Sequence, residues 1–289
     1  TSLRLIRTPN IGPMTFSLLS QRYGTARAAL DAVPELASRA AATAEIEAVE
    51  AAGAKLLFKG GDDYPKALER FDDAAPVLSA RGTTALLSSP SITVVGARNA
   101  SINAVRLAQT LSEQLAANGY VVVSGLARGI DTAAHNGALA RGTVAVIAGG
   151  IDIQYPPENA DLHDAIAESG LLLAEMPPGT QPTPRHFPIR NRIIASLALG
   201  VLVIKAAQRS GSLITAREAG ERGGEVMAVP GSPLDGRTEG CNHLIREGPA
   251  LVRDIHDILE CLARPPVASL LTARGWRGAH LSPGTEKEI

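Results

Sequence analysis

Ile92-Thr93-Val94-Val95-Gly96-Ala97-Arg98-Asn99-Ala100-Ser101 decides the architecture. Four apolar or β-branched residues in succession predict a strand covered on both faces. The glycine after them opens a turn into an amphipathic stretch at 101–118. The same unit recurs along the chain. Strands are predicted at 92–95, 121–124, 144–148, 171–174, 201–204, 226–229 and 250–252, and helical stretches at 101–118, 129–141, 160–168, 191–200, 212–222, 239–247 and 254–262. Apolar strands alternating with helices predict an α/β fold over 78–264: an extended, Rossmann-like, parallel-rich sheet covered by helices.

The flanks read differently. Residues 1–77 are expected to form a small N-terminal all-helical domain of helix-hairpin or SAM-like type. Thr8-Pro9-Asn10-Ile11-Gly12-Pro13 is a turn, and 14–23 carries Phe16, Leu18, Leu19 and Tyr23. Ala/Leu-rich segments follow at 25–39 and 43–53, separated by Pro34 and a polar gap. A helical hairpin around an Ile-Gly-Pro turn can hold a DNA backbone through its amides. The few basic residues here (Arg22, Arg27, Arg39) favour a plain interaction module. Arg264-Pro265-Pro266 breaks the last helix, and 265–289 is read as a linker or tail. The chain opens on Thr1 and not on Met, so residues before it are expected.

The 289 residues suffice for one large α/β domain and a small one, and 45% apolar with 20% charged residues is an ordinary globular composition. No apolar run approaches the roughly 18–20 residues that span a bilayer, and residues 1–7 lack a signal-peptide core. Cys241 and Cys261 form no CxxC or Cys/His cluster, so no metal is expected, and reduced thiols in the cytoplasm are the default. A net charge of −1 excludes a uniformly basic coat but leaves room for a local basic patch.

In an open α/β sheet, ligands bind beyond the carboxyl ends of the strands. Here those ends lead into Gly96, Arg98 and Ser101; Ser124, Gly125 and Arg128; Gly149 and Gly150; and Lys205, Arg209, Ser210, Gly211 and Ser212. Glycine admits an anion close to the backbone, and Ser and free amides at helix starts can hold it. After the strand at 171–174 comes Phe187-Pro188-Ile189-Arg190-Asn191-Arg192-Ile193-Ile194-Ala195, in which Pro188 ends an extended segment and two guanidiniums flank a helix start. That stretch is either a phosphate clamp or a solvated helix cap. Arg98, Arg128, Arg190, Arg192, Lys205 and Arg209 are expected to converge on one rim, and an anionic ligand explains the glycine and cation bias of so many loops. No G-x-G-x-x-G with a following acid and no P-loop occurs, so no dinucleotide or other cofactor is expected. His135 reads as a polar contact from helix to loop, and Asp131 and Asp152 as caps or turn fixers. Glu175 is the best lone carboxylate at the rim.

These motifs resemble the DNA-processing protein A (DprA/Smf) family of bacteria. The resemblance runs through Ile92 to Arg98; Val123-Ser124-Gly125 to Gly129-Ile130-Asp131 with Ala134-His135; and Gly149-Gly150-Ile151-Asp152 with Tyr155-Pro156. It continues through Phe187 to Ala195, Ser210 to Ala216, Val229-Pro230-Gly231, Gly240-Cys241-Asn242 and Leu244-Ile245, covering 78–262 in consistent order. It implies a single-stranded-DNA-binding protein that helps load the RecA recombinase in natural transformation, without hydrolytic activity, as a homodimer in the cytoplasm. It places the DNA pocket at Gly96, Arg98, Ser124, Gly125, Phe187, Arg190, Asn191 and Arg192. Of these, Phe187 is expected to stack on a base and Arg192 to reach the ligand, ahead of Asn191 and of Arg190, which is free to hold the loop instead.

Two departures stand out. The strand at 201–204 leads into Lys205, where the family usually carries an acidic residue. The lysine either strengthens phosphate binding or reflects a lost local ion pair. Many relatives also carry a C-terminal winged-helix domain; the chain here stops too soon to hold one, so it is either truncated or absent. A nucleotide-binding or nucleoside-monophosphate-hydrolysing enzyme is the alternative, although its P-G-G-x-G-T-x-x-E loop is absent.

Overall fold

The structure is a computed structural model and describes residues 1–33 and 35–263, so the tail expected at 265–289 lies outside it. Four helices lead: α1 (Ser2–Ile6), α2 (Pro13–Tyr23), α3 (Ala26–Leu30) and α4 (Arg39–Ala51). Pro13 takes the first position of α2, where a missing N–H costs nothing. Leu5, Phe16 and Ala29 form a small core of their own.

Next come β1 (Lys55–Phe58), α5 (Lys66–Glu69) and β2 (Val77–Gly82). The stretch read as wholly helical to 77 therefore contains a strand and the start of another. The run Leu56-Leu57-Phe58, bounded by Gly53 and Gly60-Gly61, is too short to show a period.

From β3 (Ser91–Gly96) the alternation is regular: α6 (Ile102–Ala117), β4 (Val121–Ser124), α7 (Ile130–Ala138), β5 (Thr143–Gly150), α8 (Ala160–Ser169), β6 (Leu171–Met176), α9 (His186–Leu197), β7 (Gly200–Ile204), α10 (Gly211–Glu221), β8 (Glu225–Ala228), α11 (Glu239–Arg246), β9 (Ala250–Leu251) and α12 (Ile255–Ala263). The nine strands form one sheet in the order β1-β2-β6-β5-β4-β3-β7-β8-β9. β3 to β9 pair in parallel; β1–β2 and β2–β6 are antiparallel.

Period-two alternation explains why the sheet is covered on both sides. Val121 and Val123 pack with Ile193, Ile194 and Ala216 of α9 and α10, while Val122 packs with Leu111 and Ala134 of α6 and α7. The chain winds from β3 outward to β6, then returns across β3 to β7, so the topological switch lies between β3 and β7.

The start of α9 departs from expectation. The helix begins at His186, not 191, with Pro188 in its third position. The first-turn amides have no intrahelical acceptor, so proline fits there. Phe187 and Arg190, three residues apart, thus share one face of a helix, and Arg192 points another way.

Candidate functional site

The carboxyl ends of β3, β4 and β5 and the first turns of α9 enclose a cleft of about 210 Å³. Arg98, Gly125, Arg128, Gly149, Phe187 and Arg190 line it, joined by Tyr155. Phe187 is its hub. The Arg98 guanidinium lies 5.1 Å from the ring centroid and the Arg190 guanidinium 5.9 Å. The Tyr155 ring sits at 6.1 Å, inclined by 50°. A ring face holds a guanidinium without occupying its N–H donors.

Arg190 forms the floor. It is buried, and its Nη1 donates to the Val146 carbonyl at 3.1 Å. Its Nε is buried without a hydrogen-bond partner among the described residues. Burial pushes its pKa down to about 10, against the pull of the Asp131 carboxylate. Asp131 is buried in turn, which raises its pKa while Arg190 opposes the rise. Its Oδ2 accepts from the Ala127 amide at 3.3 Å, so that amide turns inward, away from any phosphate.

The glycines of this loop serve proximity. A Cβ on Gly125 would collide with the Arg190 guanidinium, and Gly129, at φ +81°, lies against the carbonyls of Ala97 and Arg98. The expected amide cradle is instead a tight seam between the β3 and β4 loops. Ser124 is fully buried and donates to the Val94 carbonyl at 2.6 Å, a contact inside the fold. Gly96 packs against Ile204, and Gly150 against Pro177 and the Asp152 carboxylate. Asp152 accepts from the Gly179 amide at 2.8 Å and holds that turn, one of the roles weighed for it.

His135 bridges helix to strand. Its Nδ1 lies 2.9 Å from Thr143 Oγ1, whose hydroxyl donates to the Val122 carbonyl, so Nδ1 carries the proton. Burial, with the Arg190 charge adding to it, pushes the His135 pKa down to about 3 and keeps the ring neutral.

The remaining expected residues do not join the cleft. Arg192 turns to Glu175, its Nη2 donating to Oε1 at 2.6 Å with both side chains largely buried. Glu175, the candidate lone carboxylate, is therefore paired. Burial raises its pKa and Arg192 counteracts the rise. Asn191 is half-buried outside the cleft lining.

Lys205 stands on the other side of β3, at the topological switch. Its Nζ donates to Asp235 Oδ2 at 2.7 Å and to Ser101 Oγ at 3.4 Å. Ser101 caps α6, and Ser210 caps α10 ahead of Gly211 and Ser212. The lysine thus makes a local ion pair, with Asp235 as its partner. Arg209 is exposed beyond β7. The single expected rim is two separate groups.

Tyr155 enters the sequence reading only through the resemblance, although an aromatic five residues beyond Gly150 was the available signal.

With this geometry in view, the comparisons with known proteins are specific. The family described as "DNA recombination-mediator protein A" matches residues 55–263. The chain belongs to this DprA/Smf family. Residues 1–55 match the "DprA-like N-terminal HHH domain", so the family boundary falls where β1 begins. This family member is 48% identical over 200 residues to the DNA processing protein DprA of Streptococcus pneumoniae, covering 68% of this chain and 71% of that one. The X-ray structure of the S. pneumoniae DprA superposes with a TM-score of 0.73 at 38% identity, covering 87% of each chain. A Helicobacter pylori structure, "Structural insights into the unique single-stranded DNA binding mode of DNA processing protein A", has a TM-score of 0.67 at 29% identity, covering 72% of this chain and 95% of that one.

Proposed function

We propose that this DprA/Smf-family protein binds single-stranded DNA in the cleft between the β3, β4 and β5 ends, and that it acts by binding and not by bond chemistry. The observation that carries this reading is the Arg98–Phe187–Arg190 stack, which gathers two guanidiniums around one ring on a glycine-lined cleft. Arg98 and Arg128 contact phosphates. The exposed Arg128–Glu158 pair, 3.3 Å apart, is weak enough to exchange for one. Arg190 sets the floor. The H. pylori relative's described single-stranded-DNA binding mode supports the ligand.

In this reading the bound strand is handed to the RecA recombinase in natural transformation, the protein works in the cytoplasm, and two copies form a homodimer. The hydrolytic alternative loses support because its best carboxylate, Glu175, is buried against Arg192.

The test is the anisotropy of a labelled oligothymidylate against salt. The log–log slope should be about −0.7 for each phosphate neutralised, and Arg98→Ala should remove about one such step. If Arg98→Ala binds like the parent at every salt concentration, the cleft is misassigned. Release of free base from nucleotides, abolished by Glu175→Gln, would restore the enzymatic alternative. RecA filament growth on protein-coated strands and light scattering of the free protein test the partner and the dimer.

A further inference from the structure

We infer that Tyr155, and not Phe187, is the platform on which a nucleobase stacks in this cleft, with Phe187 a positioning residue that holds the guanidiniums. The inference rests on the single-stranded-DNA reading above and divides the labour within it. The chain has only four tyrosines, four phenylalanines and one tryptophan, yet Tyr155 and Phe187 lie together on one cleft.

Their surroundings differ. Phe187 is half-buried, with two guanidiniums and a tilted ring within about 6 Å of its centroid. Its surface is engaged by the protein itself. A base stacked there displaces Arg98 or Arg190 from the ring that steers it. Tyr155 is the most exposed aromatic among the described residues, at 44%.

The position of Tyr155 suits the task. Tyr155 and Arg98 both neighbour the Phe187 ring, at 6.1 and 5.1 Å, and line the same cleft, so a nucleotide with its phosphate on Arg98 has Tyr155 within reach of its base. Pro156 and Pro157 follow directly and also line the cleft. They restrict the backbone under the ring, so little freedom is lost on binding. A tyrosine adds few rotatable bonds of its own. Base–aromatic stacking tolerates every base, because each presents a π-face. The ligand class assigned to Tyr155 is therefore any unpaired nucleobase.

The experiment crosses two changes: Tyr155→Ala in the protein, and replacement of successive nucleotides by abasic residues in a labelled oligothymidylate. The parent should lose roughly 5- to 100-fold in affinity when the bases are removed. Tyr155→Ala should bind base-containing and abasic strands alike, while Tyr155→Trp and Tyr155→Phe restore the preference for bases. Phe187→Ala should weaken both strands together and keep the ratio between them, as expected when it acts through Arg98. The inference is overturned if Tyr155→Ala keeps the parent's ratio, or if Phe187→Ala alone removes it. A melting curve for each variant separates lost folding from lost stacking; should Tyr155→Ala unfold, the preference of Tyr155→Trp over Tyr155→Leu decides in the same way. A parent protein that binds neither strand at low salt fails the DNA reading itself, a result distinct from a parent that binds both strands equally.

Discussion

On the β4 side of β3, Arg98 and Arg190 face an aromatic ring; on the β7 side and behind α9, Lys205 and Arg192 face carboxylates. Arg98 and Arg190 stack on Phe187, while Lys205 is bound to Asp235 and Arg192 to Glu175. Both groups look alike in sequence, as Gly/Ser-flanked positive residues at strand ends. Their chemistry differs because a ring leaves a guanidinium's donors available, whereas a carboxylate takes both donors and charge. The number of cations near a sheet edge therefore says less about a ligand than what each cation already faces.

The largest expected effect breaks the carboxylate side. Arg192→Met leaves Glu175 buried without its partner, which should cost on the order of 3 kcal/mol in denaturant unfolding, whereas Arg98→Ala should leave stability unchanged. The pH dependence has a definite sign. Burial raises the Glu175 pKa, and removing Arg192 raises it further. A raised carboxyl pKa favours the folded state at low pH and loses that benefit as pH climbs through the folded value. The deficit of Arg192→Met relative to the parent should thus be full near pH 7 and shrink as pH falls toward the ordinary carboxylate range near about 4. A deficit independent of pH would show that Arg192 acts through packing alone.

Next is the seam under the aromatic side. A methyl on Gly125 meets the Arg190 guanidinium, which its hydrogen bond holds against the Val146 carbonyl. Gly125→Ala should cost about 2 kcal/mol from overpacking, and Arg190 cannot then keep its place beneath Phe187. Unchanged stability together with unchanged binding would mean that the floor of the cleft is not rigid.

A third measurement sets one cation against the other. Arg98→Ala should weaken single-stranded DNA roughly five- to tenfold at about 0.15 M salt, while Lys205→Ala should change affinity less than about twofold. Equal losses would erase the distinction between the two sides.

Much of this was legible in the chain. The strands and helices from Ile92 onward were visible because a parallel sheet covered on both faces writes itself as continuous apolar runs between amphipathic stretches. β1 was hidden because four residues carry no period, and the start of α9 because a proline in a first turn reads as a break. The cleft's Gly125, Arg98 and Phe187 were found by residue type. The inward roles of Ser124 and of the Ala127 amide were not, since a hydroxyl or amide near a strand end looks the same whether it points at solvent or at Val94 and Asp131. The separation of Arg190 from Arg192 is rotational: residues two apart on a helix point in different directions, and only the position of Glu175 reveals which one is withdrawn.

The smallest effect runs in the opposite sense and bears on Lys205. Asp235 is held by Arg237 and by Lys205, and those hydrogen bonds keep its carboxylate pKa well below the usual range, so Asp235 stays ionised throughout the neutral range. Asp235→Asn removes the charge and leaves Lys205, next to Ser101 at the start of α6, free to meet a phosphate. If pairing is all that separates the two sides, this variant should bind single-stranded DNA about threefold more tightly at low salt, and its salt slope should steepen by less than about one contact. The gain should vanish in Asp235→Asn combined with Lys205→Ala. A gain that survives the double change arises from Arg237, which the substitution also frees, or from lost acidic repulsion on the 230–238 loop, and no gain at all means that the strand never reaches the switch between β3 and β7.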